Sequence, residues 1–154
     1  MLDHRDAKEE TKAPPAPEPS SRHRAYVGPG ERYDLMSATQ FALLHALGLR
    51  EHHKLLDFGC GSLRAGRLLI PYLGRGRYHG VEPNQWLVEA AIEHEIGRDL
   101  VALKSPHLHT RDDFRADRCG TDFDFILAQS IFRDRKSTRL NSSHIQKSRM
   151  PSSA

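Results

Sequence analysis

Two acidic residues stand at the ends of apolar segments in this chain of 154 residues, where they could hold a cofactor. Asp57 follows Leu55-Leu56 and precedes the glycine-rich stretch Gly59-Cys60-Gly61. Glu82 ends the next apolar segment. Glycines let a backbone turn sharply and approach a ligand closely, and a carboxylate can accept hydrogen bonds from both hydroxyls of a ribose. The pattern predicts a nucleoside-type cofactor at the carboxyl ends of neighbouring parallel strands.

Polar residues also follow the next two apolar segments. Asp112 or Asp113 could accept a hydrogen bond from an exocyclic amino group, and the spacing favours neither over the other. Phe114 could pack on a purine face. Gln129 and Ser130 end the last apolar segment. We therefore expect further cofactor contacts at these two positions along the same edge of a sheet.

Alternating helices and strands are needed to position these residues. Apolar spacing predicts helices at residues 31–49, 62–73 and 85–96, and strands at residues 54–58, 77–81, 108–110 and 122–129. The first helix is expected to be apolar at Leu35, Ala38, Phe41, Ala42, Leu44 and Leu47. The helix predicted to begin near Ser62 would present unpaired N–H groups, which favour an anion. Helical crossovers join parallel strands, so we expect an α/β fold.

The charge distribution argues against a nucleic-acid partner. The chain carries a formal net charge of +3 at pH 7, which at first sight suggests nucleic acid. Residues 134–154 hold five Lys or Arg side chains against one Asp, and therefore contain the whole basic excess. The preceding part is slightly acidic, so we expect no nucleic acid as partner.

Composition also bears on location and metal binding. No apolar run is long enough to span a membrane. Residues 1–24 are charged and rich in Pro, Glu and Ser, and we expect a disordered tail without a secretory signal. Cys60 and Cys119 lie far apart, and neither they nor the paired histidines have metal-ligand spacing. We expect a reduced, cytoplasmic protein without a metal site.

Four spaced motifs resemble those of class I S-adenosylmethionine-dependent methyltransferases. Residues 55–61 are similar to the first, glycine-rich motif, and residues 80–84 to the acidic motif after it. Residues 111–114 resemble the loop beside the adenine, and residues 123–130 the motif of the fourth strand. The stretch from 26 to 132 resembles bacterial methyltransferases of unassigned substrate. The resemblance implies a Rossmann-like parallel sheet, incomplete, with about four strands in the order 3-2-1-4 and flanking helices.

The resemblance also implies a cofactor, S-adenosyl-L-methionine, and roles for individual residues. The glycine turn would surround the methionine moiety, the following helix start would face its carboxylate, and Glu82 would hold the ribose. Asp113 or Asp112 would bracket the adenine with Phe114. The implied site consists of Asp57, Gly59, Cys60, Gly61, Glu82, Pro83, Asn84, Asp112, Asp113, Phe114, Gln129 and Ser130, with the last two beside the sulfonium. Catalysis would consist mainly of positioning an unidentified small-molecule methyl acceptor in line with the methyl group of the cofactor.

Other interpretations of the same residues remain open. Glu82 also suits the ribose of NAD(P) in an oxidoreductase, although a G-x-G-x-x-G motif would need glycine at Arg64. A non-catalytic domain could keep the same fold. Leu63 departs from the family pattern, which often has a third glycine there. Tyr26 and Tyr33 could form a lid over the cofactor, and Trp86 is expected in the core.

The end of the chain resembles translated DNA of technical origin. Residues 134–144 and 148–154 are similar to translations of the two constant blocks of a sequencing-library adapter, and residues 145–147 would cover the index between them. We expect residues 134–154 to be a non-native disordered tail, and residues 25–133 to be the first part of a methyltransferase domain. Since the family's sheet has further strands, we expect this fragment to bind cofactor weakly and to lack turnover.

Overall fold

Four parallel strands form the centre of the protein in a computed structural model that describes residues 21–112 and 115–129. The strands are β1 (Leu55–Phe58), β2 (Tyr78–Val81), β3 (His107–His109) and β4 (Phe125–Ala128). They form one sheet in the order β3-β2-β1-β4 with parallel pairing throughout. The predicted α/β fold with a Rossmann-like sheet is therefore confirmed.

Five α-helices flank this sheet within the described residues. They are α1 (Arg22–Tyr26), α2 (Tyr33–Ala46), α3 (Gly66–Tyr72), α4 (Gln85–Ala91) and α5 (Arg98–Lys104). A 3-10 turn, Gly30–Arg32, leads into α2, and another, Ala116–Cys119, precedes β4. A π-helical turn, Ile92–Ile96, continues α4 and ends at Gly97, where the sequence predicted the end of this helix.

Helix α3 begins later than the sequence predicted. The predicted start was Ser62, but regular helix begins at Gly66. Gly61 and Leu63 adopt left-handed backbone conformations, with φ of 55° and 53°, which a right-handed helix does not contain. Residues 22–24, assigned by composition to the tail, form the first part of α1. The loop and helix boundaries are thus set by local backbone geometry that apolar spacing does not encode.

Helix α2 packs with a different face from the one its leucines predicted. Its buried residues are Tyr33, Ser37, Gln40 and Leu44, whereas Leu35 and Leu47 are about two-thirds exposed, at 65% and 66%. The buried polar side chains have hydrogen-bond partners on neighbouring elements. Those partners offset the cost of burying polar groups, so the helix can turn its polar face inward.

The core lies between the sheet and the helices that cover one of its faces. Leu55 of β1 and Tyr78 of β2 face α3, which contributes Leu69 and Ile70. The largest side chains of this cluster are almost completely removed from solvent. This packing fixes the relative positions of β1 and β2, whose carboxyl ends carry the candidate site. Within the described residues, no helix is long and apolar enough to cross a membrane.

Candidate functional site

The glycine-rich turn after β1 is tied directly to the end of β2. The N–H groups of Gly59 and Cys60 both donate to the carbonyl oxygen of Val81, at 2.8 and 3.1 Å. Gly59 and Gly61 adopt positive φ values of 67° and 55°. Because side chains are disfavoured in this conformation, the turn requires the two glycines that the sequence singled out.

A third left-handed position in this turn is occupied by leucine. Leu63 has a φ of 53°, and its N–H donates to the carbonyl oxygen of Cys60 at 2.9 Å. A non-glycine residue costs about 1–2 kcal/mol in this conformation. Leu63 is fully buried in the core, and this burial offsets the strain. Leucine at this position, where the family often has a third glycine, is therefore compatible with the same turn.

Glu82 connects the end of β2 to the glycine turn. Its Oε2 accepts a hydrogen bond from the Gly61 N–H at 3.1 Å. Its Oε1 accepts from the Asn84 backbone N–H at 2.9 Å and from Asn84 Nδ2 at 2.8 Å. The residue is only 7% exposed. A carboxylate has about four acceptor positions, so these contacts fix its orientation and leave Oε2 able to accept from a ligand.

Asp57 lies behind the turn and is held by a tyrosine. It is 4% exposed, and its Oδ2 accepts a hydrogen bond from the Tyr78 hydroxyl at 2.8 Å. Burial raises the pKa of Asp57 to about 6, although the Tyr78 hydrogen bond and the Arg64 charge both lower it. The adjacent Cys60 is also buried, and burial raises the pKa of its thiol well above the usual range. The cysteine is therefore a small packing residue here, and not an activated nucleophile.

The chain segment before α2 covers the glycine turn. A Cβ on Gly61 would lie 2.8 Å from Val27 Cγ1, which shows how closely this segment approaches. The Val27 carbonyl accepts a hydrogen bond from Arg64 Nη1 at 3.1 Å. The Tyr33 hydroxyl is buried and donates to the Ser62 carbonyl at 2.7 Å. The covering segment, residues 21–33, is thus anchored on the turn at two points.

The residues predicted to form a lid differ in their environments. Tyr33 is buried, and burial raises its pKa to about 12. Tyr26 is exposed, and its ring meets the edge of Trp86 at a centroid distance of 5.3 Å. Trp86 itself is 39% exposed, so the prediction that it lies in the core is wrong. Its indole covers the outside of α4, where it packs against the covering segment.

An ion-pair cluster holds the covering segment on the π-helical turn. Glu95 on this turn accepts from Arg24 through both carboxylate oxygens and lies 2.9 Å from His23 Nε2. Arg67 of α3 joins the cluster through Asp34 at 2.8 Å. Although burial raises the pKa of Glu95, hydrogen bonds from Arg24 and His23 hold it below its usual value. The cluster therefore favours an ionised Glu95 at neutral pH.

The remaining predicted site residues follow β2, β3 and β4. Asp112, after β3, is exposed, and Pro83 is exposed beside Glu82. Gln129 follows β4 and accepts a hydrogen bond from Gln40 Nε2 of α2, while Gln40 Oε1 is buried without a hydrogen-bond partner. The other predicted residues lie outside the described part of the chain: Asp113, Phe114 and Ser130.

Three histidines gather at the β2–β3 boundary. His79 stacks on His107 at a ring-centroid distance of 4.3 Å and lies 6.2 Å from His109. Burial lowers the pKa of His79 to about 4, with further contributions from His107, His109 and Lys54. Among residues 21–112 and 115–129, no group of three or more His, Cys, Asp or Glu is arranged to hold a metal ion.

Four residues of the site region have functions that the sequence pattern did not indicate. Tyr78 holds Asp57, Gln40 holds Gln129, Glu95 anchors the covering segment, and Arg64 contacts Val27. A tyrosine in a buried strand requires a partner for its hydroxyl, and this rule could have linked Tyr78 to Asp57. The other three contacts join residues whose pairing depends on tertiary packing.

No protein-family profile matches the chain, and no curated protein sequence is significantly similar to it. The site is therefore interpreted from its own geometry and chemistry.

Proposed function

We propose that the chain binds S-adenosyl-L-methionine and forms the cofactor half of a methyltransferase that acts on a small-molecule acceptor. The observation that carries this proposal is the contact between the Gly61 N–H and Glu82 Oε2. It joins a glycine turn and a buried carboxylate at the carboxyl ends of adjacent parallel strands, where α/β sheets bind their ligands.

The residues present fit the polar groups of such a cofactor. Glu82 is oriented by three hydrogen bonds and has acceptor capacity left on Oε2 for a ribose hydroxyl. Gly59 presents backbone without a Cβ, which permits close approach of a ligand. Gln40 Oε1, buried without a partner beside Gln129, is a further acceptor at the end of β4. These acceptors suit the hydroxyl groups of a nucleoside better than a bare phosphate.

The chain's own residues would act by binding and orienting. The cofactor supplies an activated methyl group, so catalysis consists mainly of holding an acceptor in line with it. Glu82 would fix the ribose, and the covering segment would exclude water from the turn because Val27 lies directly on it. Cys60, with its raised pKa, would contribute packing and no nucleophile.

Isothermal titration with S-adenosylhomocysteine and with NAD tests the proposal. We expect the 154-residue chain to bind S-adenosylhomocysteine and not NAD. Glu82→Gln should weaken binding about 10-fold or more, because it removes a charged hydrogen-bond acceptor. Glu51→Gln is the matched control, since Glu51 is exposed near the opposite end of the strands. Binding of NAD alone would contradict the proposed cofactor and favour an oxidoreductase.

A further inference from the structure

Helix α2 presents an apolar face to solvent. Its buried positions include the polar residues Ser37 and Gln40, whose side chains have hydrogen-bond partners on α3 and after β4. The opposite side of the helix is made of leucines and alanines with one threonine, and all of them are exposed. The three leucines are 57%, 65% and 66% exposed. We call this surface the outer stripe, and its residues are Leu35, Ala38, Thr39, Ala42, Leu43, Ala46 and Leu47.

The outer stripe is continuous along the helix. Residues four apart lie on neighbouring turns of the same side of a helix. The leucines and Thr39 therefore form one row at positions 35, 39, 43 and 47, and the alanines form a second row beside it. Single exposed leucines are ordinary on protein surfaces, whereas a contiguous apolar patch marks an interaction site. The stripe therefore has the pattern of a surface that another molecule covers.

We propose that the outer stripe binds the same stripe of a second copy of this chain, with the two α2 helices antiparallel about a two-fold axis. The row of leucines forms a ridge, and the smaller alanines beside it form a groove. Such a face is complementary to itself, because the ridge of each copy fits the groove of the other. A two-fold axis makes both of these contacts at once.

The charges at the ends of α2 favour the antiparallel arrangement. Asp34 lies in the first turn and His45 in the last, and the residues between them are uncharged. The two residues are 11 positions apart, which is about three turns, so they lie on the same side of the helix. An antiparallel pair therefore brings Asp34 of each copy to the end that carries His45 of the other copy. Since Asp34 also binds Arg67, we expect this contribution to be small.

A membrane surface fits the outer stripe less well than a second copy does. Helices that lie on membranes carry Lys and Arg beside the apolar face, and α2 contains neither. Depletion of charge is typical of the core of a protein interface. The 14 residues of α2 span about 21 Å, so we expect a contact area below the roughly 1,200 Å² of stable interfaces. The dimer should therefore be weak and depend on protein concentration.

Sedimentation equilibrium of the 154-residue chain over a range of concentrations tests this inference. We expect the wild type to form a reversible dimer. Leu43→Lys should weaken the dimer about 10-fold or more, because each dimer loses two buried leucines and gains two like charges. Ile126→Lys on β4 is the matched control, since Ile126 and Leu43 are both 57% exposed. It should leave the dissociation constant unchanged. Thermal unfolding at low concentration shows that both variants are folded.

A second pair of variants tests the direction of the helices. At low salt, His45→Lys should tighten the dimer and His45→Glu should loosen it several-fold, because each changes the charge opposite Asp34. Equal dissociation constants for these two variants would overturn the antiparallel arrangement.

The other outcomes decide whether the outer stripe binds a second copy. A wild type that stays monomeric up to about 1 mM overturns the inference. A dimer that Ile126→Lys removes and Leu43→Lys keeps overturns it as well. Binding of a monomeric chain to phosphatidylserine vesicles, abolished by Leu43→Lys, would assign the stripe to a membrane instead. None of these measurements involves the cofactor, so the inference can fail while the proposed function stands.

Discussion

The ends of the inner strands, β1 and β2, are more buried than those of the outer strands, β3 and β4. At the ends of β1 and β2, Asp57 and Glu82 are buried and bonded to neighbouring residues. After β3, Asp112 is exposed, and on β4 Ile126 is 57% exposed. The inner ends are therefore preorganised by the protein's own hydrogen bonds. The outer strands are more open to solvent, although Gln129 after β4 is held by a hydrogen bond from Gln40.

The largest effect should come from adding a side chain at the centre of the inner region. Gly61→Ala places a methyl group 2.8 Å from Val27 Cγ1 at a φ of 55°. Left-handed strain and overpacking together should cost about 3 kcal/mol of unfolding free energy. Chemical denaturation of the variant measures this cost. Binding of S-adenosylhomocysteine should fall with it.

Substitutions at two other glycines separate backbone strain from overpacking as causes of that loss of stability. Gly48→Ala meets no atom within 4 Å but has a φ of 99°, so it isolates backbone strain. Gly30→Ala introduces neither a close contact nor a residue with positive φ, so it should change the free energy of unfolding very little. Adding Val27→Ala to Gly61→Ala should recover part of the lost stability. No recovery in the double variant would show that the covering segment does not lie on the turn as described.

Removal of the Tyr78 hydroxyl should produce the next largest effect. Tyr78→Phe deletes the hydrogen bond to Asp57 and leaves a buried carboxyl without its partner. We expect a loss of about 2 kcal/mol in unfolding free energy and a higher pKa for Asp57, because this hydrogen bond lowers it. Carboxyl NMR titration measures the pKa. Tyr72→Phe, whose hydroxyl donates to the Leu49 carbonyl, should cost less.

The covering segment should respond to the loss of its ionic anchor. Glu95→Gln removes the charge that binds Arg24 and His23. It should lower the local stability of the covering segment by about 1 kcal/mol. Trp86 is the single tryptophan of the chain and contacts Tyr26 of this segment. Its emission should shift to the red as the segment loosens. Glu93→Gln, an exposed change on the same π-helical turn, is the control. Equal emission from both variants would contradict the anchoring role.

The smallest effect should come from His79 of β2, which makes the folding stability depend on pH. The pKa of His79 is about 4 in the folded protein against 6.5 ordinarily. Between these values the unfolded chain binds more protons, so folding stability falls as the pH decreases from about 6.5 to 4. His79→Gln should reduce this fall by on the order of 1 kcal/mol. The raised pKa of Asp57 acts in the opposite direction, so the comparison must be between variant and wild type. Identical pH profiles for both would exclude a role of His79.

The sequence predicted the inner region better than its surroundings. Continuous apolar runs identified β1 and β2, and the parallel order brings Glu82 to Gly61. The orientation of α2 was not predictable from its leucines, because its buried polar residues depend on partners in α3 and after β4. Arg64 and Glu95 acquire their contacts only through tertiary packing. Local sequence patterns were therefore sufficient to predict the inner strands, whereas long-range hydrogen bonds determine which face of α2 is buried.

Amide chemical shifts during a titration with S-adenosylhomocysteine test the central claim most directly. A nucleoside bound at the inner strand ends must share Glu82 with its present donors, Gly61 and Asn84. We predict saturable shifts at the Gly61 and Asn84 amides, with smaller changes on β4 and on the π-helical turn Ile92–Ile96. Saturable shifts confined to β4 or to the π-helical turn, with Gly61 and Asn84 unchanged, would contradict the account.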